Sequence, residues 1–373
     1  MDARAGGMGG SYIALSDTLI GAYYNPAGLG FIEQDRISES SNIYRSTSLK
    51  YSGPFDYELT TSSSVPPFIG FFQNFDSFNF AFSIITPRSD STNQDITDGK
   101  AGSLTYTQNF DSENTHLLVG PSIGMLLNDN LAIGGSFFYS YETRNYVDNV
   151  YSYYTANPNA IRFWDNTYNE ETMHELLGIL GIQWMPNDQL SVGAKVNIPY
   201  CLDGDGTQQT TRSHTYFNTP TQNVSTISNG TYDLKSLGYR SNYPQIGTGI
   251  VYFISPDTLV SVDINYLIST PTSTDFPTQD TLNVAIGLEH YWQPYLPTRF
   301  GIYTNNAYFS KDANGEQINA IGIASSIGYE FGSNKLNLGI DYQFGTGEYK
   351  TSAGDFDLNY SGLSILISGS TSI

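Results

Sequence analysis

The chain has 373 residues, with 36 Asp and Glu against 16 Lys and Arg, a formal charge of −20. That balance excludes a general nucleic-acid binder, which needs basic side chains to neutralise phosphates. Only 14% of residues are charged and another 14% are aromatic, with 36 glycines, which excludes a coiled coil, a helical bundle or a disordered chain and suits many strands joined by Gly-rich turns.

The first predicted element, Met1–Gln34, does not read as a strand. It carries Gly6, Gly7, Gly9, Gly10, Gly21, Gly28 and Gly30 between short apolar pieces at Tyr12–Leu15 and Leu19–Tyr24. Glycines permit tight backbone turns in a confined space, and Ser16 or Asp17 is placed to cap a short helix over Thr18–Tyr23. A compact segment ahead of the first strand is expected to lie inside a barrel as a plug.

From there on the pattern has a period of two. Strand centres are predicted near Ser40, Phe71, Phe82, Val119, Phe137, Leu180, Val196, Ile250, Ile264, Ile286, Phe300, Ile327, Ile340 and Ile365. In the best example Leu336, Leu338, Ile340, Tyr342 and Phe344 form one face, and Lys335, Asn337, Gly339, Asp341 and Gln343 the other. The second face is small or polar almost everywhere, with isolated charges such as Asp263 and Glu289. A soluble β-sandwich also alternates, but it would spread charge freely over its outer surface.

The connections sort by parity. Short Asn-, Asp-, Gly- or Pro-containing links are predicted at Asp76–Ser77, Asn128–Asn130, Pro186–Gln189, Ser255–Asp257, Gln293–Pro297 and Gly332–Asn334. Long polar loops are predicted at Leu49–Pro66, Arg88–Glu113, Asn145–Thr172, Leu202–Asn242, Ser269–Asp280, Asn305–Gln317 and Gly347–Asp357. Alternation of short and long connections is the layout of an outer-membrane barrel. The fold class is therefore all-β: a transmembrane antiparallel barrel of about fourteen strands over residues 35–373, with residues 1–34 as an N-terminal hatch in its lumen. No run of 18 apolar residues exists, so a transmembrane helix is excluded while a transmembrane barrel is not. Trp184, Trp292, Tyr291 and Tyr295 fall near short turns, where an interfacial girdle is expected.

The opening segment is also recognisable. Asp2-Ala3-Arg4-Ala5-Gly6-Gly7-Met8-Gly9-Gly10, then Ala14-Leu15-Ser16-Asp17, then Tyr24-Asn25-Pro26-Ala27-Gly28-Leu29 resembles the start of the FadL/OmpP1/TodX superfamily of outer-membrane transport proteins. The resemblance is confined to Asp2–Leu29, with a weaker echo at Pro297–Gly301. It implies a fourteen-stranded barrel with an N-terminal hatch, taking up long-chain fatty acids or other hydrophobic small molecules passively. It places Asn25, Pro26 and Ala27 in the hatch turn, where Pro26 biases Asn25 toward an extended backbone. The same start is similar to PorV-type barrels, which implies the alternative of a structural partner in type IX secretion. Either branch implies the bacterial outer membrane, with a signal peptide already removed, and contact with lipopolysaccharide and membrane lipid.

Exposed loop aromatics often mark binding, which makes Tyr151, Tyr153, Tyr154, Phe163 and Trp164 the ligand-entry candidates. Other chemistry is thin. Asp203-Gly204-Asp205-Gly206 opens like a calcium loop, but His214 stands where a bidentate Glu is required. His116, His174, His214 and His290 are dispersed, Cys201 has no partner, and no phosphate or nucleophile motif occurs. No cofactor, metal or catalytic residue is expected, and an enzyme has no positive support.

Overall fold

The computed structural model describes residues 3–53, 56–63, 68–101, 103–154, 161–216, 224–270, 278–308, 317–351 and 354–372. Two short helices, α1 (Ala3–Gly7) and α2 (Gly21–Tyr24), and a 3-10 helix (Pro26–Phe31) precede the strands. The strands are β1 (Arg36–Ser52), β2 (Tyr57–Ser63), β3 (Phe68–Asn74), β4 (Asn79–Ala101), β5 (Leu104–Asn128), β6 (Leu131–Tyr154), β7 (Ile161–Asn187) and β8 (Leu190–Tyr216). They continue as β9 (Val224–Asp233), β10 (Gln245–Ser255), β11 (Thr258–Leu267), β12 (Thr281–Tyr291), β13 (Pro297–Asn305), β14 (Gln317–Phe331), β15 (Asn334–Thr351) and β16 (Gly354–Ser372).

All pairings are antiparallel, β16 pairs with β1, and β8 pairs with β10, so the sheet closes. β2 and β3 both pair with β1 and β4, and so make one barrel strand in two pieces. β9 and β10 likewise both pair with β8. The sixteen segments therefore form a closed fourteen-stranded barrel, and every predicted centre lies on one of its strands.

The faces are inverted relative to a soluble protein. Leu336, Leu338, Ile340, Tyr342 and Phe344 point outward and are 42–50% exposed. Ser261, Asp263, Glu289 and Arg299 point inward and are almost fully buried. Leaving the apolar face uncovered is unfavourable in water and favourable in hydrocarbon. Trp184, Trp292 and Tyr295 extend outward beside short turns. Tyr291 departs from the expected girdle: its hydroxyl donates to Glu330 Oε1 at 3.2 Å.

The predicted long loops are corrected in one respect. β4 to β8 run for 23 to 27 residues, whereas β10 to β13 have 9 to 11; the shorter length spans a bilayer by itself. Much of Arg88–Glu113, Asn145–Thr172, Leu202–Asn242 and Gly347–Asp357 is therefore paired strand rather than loop. These stretches are polar, yet rich in Thr, Tyr and Ser, which suit a pleated surface. Cross-strand pairs such as Arg144–Glu171 and Asn93–Asp111 hold them together above the membrane.

Candidate functional site: the filled lumen

Residues Ala3 to Ile32 occupy the lumen at its short-turn end, and most are fully buried. A segment this short has little regular structure, so its backbone groups need partners from the wall. Asp263 of β11 accepts the backbone N–H groups of Tyr12 and Ile13 at 2.6 and 2.8 Å. Gln183 and Ser191 donate to the Ala14 carbonyl at 2.9 and 2.6 Å. Ser136 donates to the Ala22 carbonyl at 2.6 Å, and Asn79 to those of Leu29 and Ile32 at 2.7 and 2.9 Å.

Wall glycines allow this contact. A β-carbon at Gly301 would lie 2.2 Å from the Gly9 nitrogen, and one at Gly181 would lie 1.9 Å from Asn25 Oδ1. The small inward residues read from the alternation are thus the seat of the segment. On the segment's side, Gly9 and Gly10 have φ of +66° and +79°, a conformation that costs an L side chain energy.

The three residues of the Asn-Pro-Ala turn sit together on β6 and β7. Asn25 donates to the carbonyls of Ile13 and Ile182 at 2.8 and 3.1 Å. Its Oδ1 accepts the Ala27 N–H at 3.2 Å and caps the 3-10 helix, with Pro26 in the first turn. One amide therefore ties the turn both to itself and to the wall. The expected helix cap at Ser16 or Asp17 is not formed: α2 starts later and has no side-chain cap. Ser16, at φ +32°, donates to the Tyr12 carbonyl, and Asp17 accepts from Arg4 and Tyr12 instead. The charge of Arg4 draws Asp17 away from the capping position.

A buried ion cluster anchors the start of the segment. Arg4 Nε and Nη2 donate to the two oxygens of Glu289 at 2.9 and 2.8 Å, and Nη1 to Asp17 at 2.5 Å. Arg299 Nε donates to Glu289 at 2.5 Å. Desolvation alone would lower the Arg4 pKa, but Asp17 and Glu289 outweigh it and hold the guanidinium well above its usual value. Burial pushes the Tyr23 phenol up, so it stays neutral beside the lumen. Glu289 and Asp263 stood out in the sequence only as charges on a small-residue face; their partners were not legible there.

Above the segment lies a cavity of about 450 Å³. Its floor includes Ile20, Tyr23 and Tyr24, and its walls include Arg45, Tyr303, Asp341, Gln343 and Tyr360. Ile85 to Ser89 of β4 also line it, and there the ladder with β5 carries a bulge. β4 pairs with β5 up to Ile85 and resumes at Arg88, with Thr86 and Pro87 bulged between. Among the described residues its pairing with β3 ends at Ile85, and that with β2 begins at Ser91. Proline has no N–H to give to a ladder.

A strap that sequence reasoning did not find covers part of the lumen on the long-loop side. Between β9 and β10 the chain turns inward, burying Leu234 and Tyr239. Tyr239 donates to Glu142 Oε2 at 3.0 Å, and the backbone N–H groups of Ser241 and Asn242 donate to Glu175 at 3.1 and 2.9 Å. The polar composition of Leu202–Asn242 hid this turn inside an apparent loop.

The entry candidates are not loop residues. Tyr151, Tyr153 and Tyr154 end β6, and Phe163 and Trp164 begin β7, with Tyr151 paired to Trp164. Tyr154 meets Phe163 at 6.2 Å between ring centroids, and Trp164 is 46% exposed. The register splits them between the two faces of the tall hairpin, Tyr151, Tyr153 and Trp164 on one and Tyr154 and Phe163 on the other, away from the residues lining the cavity. Among the described residues no cluster of metal-ligating side chains occurs, and Cys201 is buried against Met173.

The sequence matches no family model and no curated protein. Solved structures match over the whole chain. A Pseudomonas aeruginosa FadL homologue aligns with a TM-score of 0.72 at 13% identity, covering 100% of this chain and 98% of that one. The Pseudomonas putida toluene transporter TodX aligns at 0.69 and 14%, and the Ralstonia pickettii toluene transporter TbuX at 0.63 and 14%, each over 100% of this chain and 98% of its own. The chain is an outer-membrane-type β-barrel, and its fold is the FadL fold.

Proposed function

We propose that this protein is a passive outer-membrane transporter for hydrophobic small molecules, with long-chain fatty acids among the expected cargo, and that residues 1–34 are the hatch that gates it. The observation that carries this reading is the cavity between the N-terminal segment and the bulged part of β4. Apolar solutes cross a lipopolysaccharide leaflet poorly. A site in the lumen lets one enter past the strap from the long-loop side, and the bulge of β4 at Thr86 and Pro87 is the proposed sideways exit into hydrocarbon. TodX and TbuX, described as toluene transporters, support this class of cargo. The aromatic tip at Tyr151, Tyr153, Tyr154, Phe163 and Trp164 is the proposed place of first capture.

Uptake of radiolabelled oleate or toluene into proteoliposomes with lipopolysaccharide in the outer leaflet tests the reading. Uptake is expected to exceed that of vesicles without protein severalfold. Asn25→Ala removes the donor to Ile13 and Ile182, and is expected to raise the population of displaced hatch by about tenfold, speeding uptake. Rates equal to those of protein-free vesicles would remove the transport reading.

One observation supports a second reading, a PorV-like partner in secretion. β9 pairs only with β8 among the described strands, and its residues Ser225 to Thr231 are exposed. An open, uncharged edge of this kind is suited to strand addition by another polypeptide. Near-stoichiometric recovery of a protein partner on affinity purification from native membranes would favour it.

A further inference from the structure

The proposed transport reading leaves the cargo's polar chemistry open, and the cavity wall narrows it. Asp341 projects from β15 into the cavity. Its Oδ1 accepts the Tyr303 hydroxyl at 2.7 Å and its Oδ2 accepts Gln343 Nε2 at 3.3 Å. A carboxylate has about four acceptor positions, so these bonds orient it and leave capacity facing the cavity. The two cations that line the same space already face carboxylates: Arg45 lies 3.7 Å from Asp90, and Arg88 lies 3.4 Å from Glu142. The remaining surface mixes ring and alkyl carbon from Ile20, Tyr24, Tyr360 and Leu366 with short polar side chains such as Thr304 and Ser364.

Each kind of ligand meets this wall differently. A carboxylate would meet a site of net negative charge, where Asp90, Glu142 and Asp341 outnumber Arg45 and Arg88. A plain hydrocarbon would strip water from Asp341 and return no bond, which is costly for a charged acceptor. A neutral ring carrying a hydroxyl would donate to Asp341 and stack its apolar body on the tyrosines. We propose that the cavity is a binding site selective for neutral, hydroxyl-bearing aromatic compounds over both the corresponding acids and the bare hydrocarbons. The inference rests on the transport reading for its biological use, but its test is separate.

The test is equilibrium binding of 2-naphthol, naphthalene and 2-naphthoate to the full chain in lipid nanodiscs. The three probes share one ring system and differ only in the group offered to Asp341. 2-Naphthol is expected to bind about tenfold or more tighter than naphthalene, as for a hydrogen bond to a charged group, and 2-naphthoate most weakly. Asp341→Asn, whose amide is cheaper to desolvate and accepts a hydrogen bond less strongly than a carboxylate, is expected to lower the naphthol-to-naphthalene ratio severalfold, in part by raising naphthalene affinity. Tyr303→Phe, which keeps the carboxylate, is expected to retain the preference. The wild-type ratios decide the matter even where a variant fails to assemble. Equal binding of naphthol and naphthalene, or tightest binding of naphthoate, would overturn the selectivity and leave transport standing. No binding of any probe up to its solubility would overturn the selectivity, and the transport reading would then stand or fall on the oleate and toluene uptake alone.

Discussion

Glu289→Ala is expected to release the N-terminal segment from the lumen while the barrel still assembles. Glu289 is the shared acceptor for Arg4 and Arg299, and all three side chains are nearly or largely buried. Without the carboxylate Arg299 loses its ion-pair partner and Arg4 keeps only Asp17, in a space with little water. Removing one partner of a buried ion pair costs about 3–5 kcal/mol, because a charge is left uncompensated. The wall strands lose only an inward side chain and keep their ladders with β11 and β13. The cost therefore falls on the docking of the segment, not on closure of the sheet. The variant should migrate as a folded barrel on unheated gels, yet lose residues 3–32 to limited proteolysis that spares the wild type. Glu289→Gln, which keeps two acceptor positions, should show a smaller effect. Equal protection in all three proteins would mean that the ion cluster does not hold the segment.

Ile340→Arg is expected to block insertion into membranes. Ile340 is the middle residue of the outward apolar run Leu336, Leu338, Ile340, Tyr342 and Phe344, is 50% exposed, and is paired with Ile365 of β16. On the lipid face of a barrel an arginine at the bilayer midplane costs about 2–4 kcal/mol. Gln343→Arg is the matched control, because Gln343 lines the lumen cavity beside Asp341. Folding yield into phosphatidylcholine vesicles, read by the heat-modifiable gel shift, should fall sharply for Ile340→Arg and hold for Gln343→Arg. Similar yields for the two would reverse the assignment of the faces.

These two positions also show what the sequence makes legible and why. In lipid the outward face must be apolar and the wet or plugged lumen must not be. Leu336 to Phe344 therefore advertise their orientation by alternation alone, and the strand count follows. The breaks within two barrel strands, between β2 and β3 and between β9 and β10, did not disturb the count because each strand had one strong alternating half, around Phe71 and Ile250. The upper parts of β4 to β8 read as loop in the sequence because hydropathy is silent outside the membrane, where Thr, Asn and Tyr serve a strand as well as a loop.

The site was legible only on one side. The Asn-Pro-Ala turn was visible through its resemblance, but its wall partner Ile182 is 157 residues away from Asn25. Arg4 and Glu289 are separated by 285 residues, and a period of two says that Glu289 points inward without saying what it meets. Gly301 and Gly181 looked like ordinary small lumen residues, although their lack of a β-carbon is what admits Gly9 and Asn25. The inward strap at Tyr239 and the recognition geometry at Asp341 depend on the same long-range closure.

The most direct measurement is ionic current through single proteins in planar lipid bilayers, comparing the full chain with a variant lacking residues 1–34. A lumen stoppered by its own N-terminus should pass almost no steady current in the full chain and open in discrete steps, as a water-filled pore, once those residues are gone. Equal currents through both proteins would contradict this, and the proposed hatch would fail with it.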